Sequence, residues 1–454
     1  YIMNKILSFA TILGAALTFV ACSPNEEDDI FDQSAAERLN AASELYSSRL
    51  TAQPNGWVMQ LYPTLKDEYP YGNGYIVLMR FAKDHTVKVG MNNVFTNNTY
   101  AEDSSHWAVI TDDGPVLSFD TYNKVFHLFS DPYDLPFTGS KDVPNNEQGK
   151  GAEGDYEYII VDAPEDASYM MLKGKKRATY NLLTPMEEGV DYKSYLQDVT
   201  SFQSKMFPAG YSIPDYLVVG DSVYNFTDAG QGLPNIYPVG TDAVINQDFN
   251  PFLITKLGND YYLRFRDSKT YGDKTVQRFK YDASQDKFIS VDDEQCYIEG
   301  NHPDSVFFSH LKTQSSISRY TPTLLASDSY KSLISSIDSE FRKVNKNYYV
   351  RSINIRNLAG SYVLSIDYSG NTPTTYTDFN LDMSQSDKGV KFTYTGAEKA
   401  AQNILNRVPS IKTLIDAICA SDMKISGGET SFDLRYIRLT STSDQNFWFV
   451  MNIN

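Results

Sequence analysis

The amino-acid sequence predicts an α+β fold, predominantly antiparallel β, in which successive β-meander units are each accompanied by one or two helices. Three observations carry that prediction. The 454 residues include 33 Tyr, 25 Phe and 3 Trp, and aromatic side chains favour pleated, half-buried surfaces. Short apolar or alternating runs recur between turn residues, as antiparallel strands with one solvated face require. Apolar spacing of three and four residues returns at intervals, marking helices between the strand groups.

At the amino terminus, Met3-Asn4-Lys5 forms a short positive start ahead of an apolar stretch from Ile6 to Val20. That stretch is too short to cross a bilayer comfortably and matches a secretory signal. Ala21 then precedes Cys22, the order of a bacterial lipoprotein signal, in which a small residue stands before the cysteine whose thiol accepts diacylglycerol. Phe19 departs from that pattern, because such signals usually carry a small residue there. Acyl chains on Cys22 anchor a protein to a membrane, each buried methylene contributing about 0.8 kcal/mol. The competing reading is an ordinary signal peptide with a coincidental cysteine. "SPNEEDD" after Cys22 holds four acids and a proline, cannot bury apolar surface, and reads as a solvated tether. Residues 1–21 are thus expected to be a signal peptide and 22–33 an acidic tether.

Ser34-Ala35-Ala36-Glu37 is a capping box, with Ala35, Leu39, Ala42, Tyr46 and Leu50 forming one helical stripe behind it. The helix should stop before Pro54-Asn55-Gly56. "GWVMQLYP", "GYIVLMRF", "HTVKVG", "GPVLSFD", "KVFHLFS", "DYEYIIV" and "SYMMLKG" then read as strands of a meander, with Trp57, Met59 and Leu61 on one face and a turn at Asp84-His85. Tyr195, Leu196, Val199, Phe202 and Met206 return to helical spacing and close a first domain over 34–207. "PFLITKL", "DYYLRFRD", "VQRFKYDASQDKFISVD" and "CYIEG" give a second β-rich domain over 208–344, ended by a helix at Leu333, Ile334, Ile337 and Phe341. Strands such as "GSYVLSIDYSG" and "VKFTYTG", with two short helices around Pro409, make a third α+β domain over 345–454. "GYIVLMRF", "DYYLRFRD" and "SYVLSIDY" resemble one another faintly, without fixed spacing.

The charge balance, 40 Lys and Arg against 57 Asp and Glu, is a net −17, which opposes nucleic acid as a partner. No H-E-x-x-H, C-x-x-C or helical histidine pair is present, so no metal and no cofactor is expected; His85, His106 and His127 share one β segment but read as turn or packed residues. The chain lacks a G-x-S-x-G elbow, a P-loop and a dinucleotide fingerprint. Carboxylate pairs such as Asp112-Asp113 and Asp292-Asp293 read as solvated turns rather than as the two acids of a glycosidase. No catalytic residue is therefore assigned. Cys296 and Cys419 either pair or stay as buried thiols.

Two stretches are candidates for ligand binding. "YPYGNGY" presents Tyr69, Tyr71 and Tyr75 around two glycines, where ring faces could stack on a sugar or peptide, or else pack on their own domain. "KGKKR" groups Lys173, Lys175, Lys176 and Arg177, able to hold an anion or, alternatively, to guard a sheet edge.

The ordered set "CS...EEDDIFDQSAAERL", "PNGWVMQLYP", "GPVLSFDTYNKVFHLFSDP", "GDYEYIIV" and "LKGKKR" resembles a family of Bacteroidetes lipoproteins defined as a domain of unknown function. The acidic flank of Cys22 is similar to the signal that exports such lipoproteins to the cell surface. The resemblance implies an outer-membrane lipoprotein facing the cell exterior, working beside nutrient-import proteins, and it carries over no catalytic or ligand residue. The function expected is non-catalytic capture of a glycan or peptide for import, with the membrane, the ligand and import proteins as partners. A surface hydrolase whose acids converge from distant strands, and a structural or adhesive surface protein, are the alternatives.

Overall fold

The computed structural model describes residues 34–112, 114–131, 152–211, 213–228, 230–313, 316–320, 325–369 and 375–453. The signal peptide, Cys22 and the acidic tether lie outside the described residues, as does Asp113. Helix α1 (Ala35–Thr51) opens with the capping box read from the sequence: Ser34 N–H donates to Glu37 Oε2 at 2.9 Å, and Ser34 Oγ accepts from Glu37 N–H at 3.3 Å. The helix ends in a turn that only glycine fits. Gly56 has φ +84°, and a Cβ there would sit 2.1 Å from Met79 O.

The chain then builds β1 (Trp57–Leu61), β2 (Tyr75–Phe81), β3 (Thr86–Met91), β4 (Ala101–His106), β5 (Ala108–Thr111), β6 (Pro115–Ser118), β7 (Glu157–Asp162), β8 (Met170–Gly174) and β9 (Tyr180–Pro185), followed by α2 (Tyr192–Met206). All are antiparallel, in the order β4-β3-β2-β1-β9-β8-β7-β6-β5. Trp57, Met59 and Leu61 face a core with Val77, Met79 and Val89, as their alternation predicts. Val58 turns to the opposite face and joins Leu78, Tyr195 and Ile254 in a second core. A central strand buried on both faces is why "WVMQL" shows little polar alternation. "KVFHLFS" is not a strand: Asn123 Oδ1 accepts from the amides of Val125 (3.0 Å) and Phe126 (2.9 Å) and winds Phe126–Phe129 into a 3₁₀ turn.

The second sheet comprises β10 (Asp215–Val219), β11 (Ser222–Thr227), β12 (Asn235–Pro238), β13 (Phe252–Leu257), β14 (Asp260–Tyr271), β15 (Lys274–Asp282), β16 (Lys287–Ser290) and β17 (Cys296–Glu299). Then come α3 (Pro303–Thr313), β18 (Ser316–Tyr320), α4 (Asp328–Val344), β19 (Val350–Leu358), β20 (Ser361–Tyr368), β21 (Thr375–Ser386), β22 (Gly389–Gly396), α5 (Lys399–Arg407), α6 (Ser410–Cys419), β23 (Met423–Gly427), β24 (Tyr436–Ser441) and β25 (Trp448–Asn452). Strands β18 to β25 form a closed barrel. Its core takes Phe307, Tyr330, Ile337 and Phe341 from α3 and α4, which precede residue 345.

One plan runs through all three sheets, because in each the first strand pairs with the last: β1 with β9, β10 with β17, β18 with β25. The first circle is open between β4 and β5, the second between β12 and β13, and the third is shut. Cys296 and Cys419 are free thiols, the first buried and the second half-buried. Among the described residues, no helix is long and apolar enough to cross a membrane.

Candidate functional site

The outward face of β1 and strands β13 to β15 meet across the second core, and beside that contact lies a cleft of about 840 Å³. Gly74 lets the two sheets approach. A Cβ at that position would lie 2.5 Å from Leu253 Cγ and 2.6 Å from Tyr62 Cε1. Strands β7 to β9 and the start of α2 complete the walls. Much of the lining is apolar and includes Val161 and Leu257, each about half exposed (49% and 51%).

Set into these walls are polar groups that the fold leaves unmatched. Alternation along β1 puts Gln60 on the face of Val58, between Ile76 and Leu182 of the neighbouring strands. Gln60 is 3% exposed, and its Oε1 has no hydrogen-bond partner. On β14, Arg264 stands directly across the ladder from Arg278 of β15, and both line the cleft. Like charges placed opposite each other destabilise a sheet. Arg264 Nη1 is shut off from solvent without a partner, and burial pulls the guanidinium below its usual pKa, opposed by Tyr62 and reinforced by Arg278. Arg278 lies over the Tyr262 ring, 4.6 Å from its centroid. Just past Arg264 the β14–β15 register slips before Lys269, a bulge of the kind that re-aims side chains beside binding sites.

The other charges of the cleft are already engaged. Asp162 accepts from Tyr169 Oη at 2.5 Å, Glu187 accepts from Gly258 N–H at 2.8 Å, and Lys256 pairs with Asp198. Among the described residues, no group of three or more His, Cys, Asp and Glu side chains is placed to hold a metal ion.

The residues singled out from sequence lie elsewhere. Tyr71 and Tyr75 are buried in the first core, where Tyr75 meets Phe95 at 5.0 Å and donates to Pro70 O at 2.5 Å, while Tyr69 is half-buried. Next to them, Asn73 Nδ2 donates to Gln231 O, so "YPYGNGY" docks the first sheet on the second. Lys173 lies 5.7 Å from the Tyr180 ring centroid, and Lys175 pairs with Asp112 and Glu157, two carboxylates whose hydrogen bonds raise its pKa. The amides of Lys176 and Arg177 donate to Asp155 at 3.0 and 2.9 Å. None of these seven lines the cleft. Gln60 and Arg264 come from strands some two hundred positions apart, and neither stands out alone in "WVMQL" or "DYYLRFRD". The one local clue was a glutamine inside a strand otherwise apolar on both faces.

His127 accepts from Asn123 N–H at 3.0 Å, and burial lowers its pKa; His85 packs 5.5 Å from Trp107. Asp293 is paired with Lys274.

No curated protein matches the chain. Among solved structures, a protein of Eubacterium rectale ATCC 33656, provisionally named a DNA polymerase III beta subunit, is 8% identical, with 91% of this chain and 97% of that chain covered. Its TM-score of 0.13 is too low to bear on fold or function. The family described as "Domain of unknown function (DUF4302)" matches residues 27–283, which include every cleft residue named above. That match spans more than half of the sequence, and the chain belongs to the DUF4302 family.

Proposed function

We propose that the protein is a non-catalytic binding component that captures a glycan or peptide in the cleft between the first two sheets. The observation that carries this reading is the pair of unmatched atoms in the cleft walls, Gln60 Oε1 and Arg264 Nη1. A buried polar group without a partner costs about 1–3 kcal/mol, and a ligand supplying both partners recovers that cost. The non-catalytic part of the reading rests on the sequence, which carries none of the nucleophile, metal or nucleotide motifs named above. Lipid on Cys22 belongs to the same proposal and rests on the amino-terminal sequence; an outer-membrane position facing outward, a Bacteroidetes source and work beside nutrient-import proteins belong to it too and rest on the family resemblance. The assignment of each circular meander, with its helices, to one structural unit is likewise a proposal, supported by the pairing of first and last strands in each sheet.

The test is a screen of glycan and peptide panels against the wild type and Leu182→Trp, whose added ring fills the cleft. Binding that drops at least tenfold in the folded variant is the expected result. Silence across both panels, or binding indifferent to the substitution, removes the reading. For the anchor, Cys22→Ala should release the protein from membranes, and retention there would count against lipidation.

A further inference from the structure

We infer that the ligand of this cleft is an acidic sugar, a glycan carrying a uronate-type carboxylate beside free hydroxyls; the inference rests on the binding reading above. Arg264 and Arg278 face each other across the ladder, and no ion pair to either is found among the described residues. The arginine next along β14 shows the contrast. Arg266 pairs with Asp67 and Asp267, both at 2.8 Å. Two adjacent guanidiniums repel each other, and a carboxylate received between them turns that repulsion into charge-assisted hydrogen bonding. Gln60 adds the complementary demand. Its bare Oε1 is an acceptor, so the group that meets it must be a donor, as a sugar hydroxyl is.

A carboxylate next to an N–H donor would also describe an acidic peptide, but the cleft suits a sugar better. Peptides commonly dock by extending a sheet at a free edge. The edge strand here is β13, and two of its amides are already taken: Phe252 N–H donates to Gly232 O at 3.0 Å and Lys256 N–H to Tyr195 Oη at 3.1 Å. Tyr169 and Tyr262 meanwhile line the cleft with rings of the kind on which sugars stack.

The deciding experiment is calorimetric titration of the wild type, Arg278→Gln, Arg264→Met and Leu182→Trp with three probes. These are α-1,4-linked tri-galacturonate, the same trisaccharide with its carboxyls reduced to alcohols, and tri-glutamate. Tri-galacturonate should bind the wild type at least tenfold more tightly than the reduced sugar and than tri-glutamate. That preference should weaken with salt, vanish in either arginine variant and disappear with all binding in Leu182→Trp. Arg278 is exposed, so its replacement tests the charge even if the buried site does not tolerate change. Equal binding of both sugars, abolished by Leu182→Trp, overturns the acidic-sugar inference and leaves the cleft reading standing. Preference for tri-glutamate, or no binding of either sugar, also overturns it. Sugar binding that survives Leu182→Trp overturns the cleft reading, and this inference with it.

Discussion

At Arg264 stability and the proposed binding role pull in opposite directions. Its Nη1 is buried without a partner and its cross-strand neighbour is another arginine, so the fold gains nothing from the charge. Arg264→Met should therefore raise stability in ligand-free urea unfolding by about 1–3 kcal/mol, the cost of an unsatisfied buried polar group. An equal loss would show that the guanidinium supports the fold. A second buried anomaly lies away from the cleft. Burial pushes the Asp228 carboxyl up to about 6, against donations from the amides of Gly232, Leu233 and Gln231. Burial raises Asp215 well above its ordinary 3.8, and nearby Asp228, Asp286 and Asp433 push it further the same way. A carboxyl whose pKa is higher in the folded state stabilises fully below its unfolded value and loses that contribution as pH rises through the folded one. The stability difference between Asp215→Asn and the wild type should therefore shift in favour of the variant from pH 4 upward. A pH-independent difference would mean that Asp215 is ionised in the fold. Neither effect could be read from sequence, because a buried charge is a property of what packs on it.

At the scale of elements, "YPYGNGY" follows the packing alternative that its sequence left open beside stacking on a ligand. Tyr71 and Tyr75 fill the first core while Tyr69 stays half-buried, and Gly74 is small because Leu253 and Tyr62 press on it. Gly74→Ala should cost about 1–3 kcal/mol in urea unfolding, as overpacking does, and a change below about 0.5 kcal/mol would show that the sheets slide to accommodate it. Legibility followed locality. The capping box of α1, the alternation of Trp57, Met59 and Leu61 and the turn at His85, with φ 65°, are short-range features that few residues decide. "KVFHLFS" misleads because its apolar residues suit either a strand or a 3₁₀ turn, and Asn123 tips the choice through its side chain.

Across the whole molecule, three meanders are wound so that first and last strands meet, and that pairing is what short-range patterns do not carry. The faint likeness of "GYIVLMRF", "DYYLRFRD" and "SYVLSIDY" has no counterpart in topology: they form the second strand of the first circle, the fifth of the second and the third of the third. Helix α4 precedes residue 345 yet its Tyr330, Ile337 and Phe341 sit in the barrel core, and β18 hydrogen-bonds to β19. A fragment of residues 300–454 should consequently unfold in one cooperative transition, whereas 345–454 should lack one, as followed by circular dichroism in urea. Cooperative unfolding of the shorter piece would place the unit boundary at 345 instead. The cleft also belongs to this scale, since its walls come from two circles and Gln60 of the first shares it with Arg264 and Arg278 of the second only after both have folded.

The proposed entry of ligand between those two circles is open to direct test by a crystal structure of the protein with its tightest-binding glycan. The ligand should lie in the cleft, within hydrogen-bonding distance of Gln60 Oε1 and Arg264 Nη1. A glycan seated instead on the exposed faces of Tyr122 and Tyr156, 54% and 50% exposed, or against the third circle would contradict it.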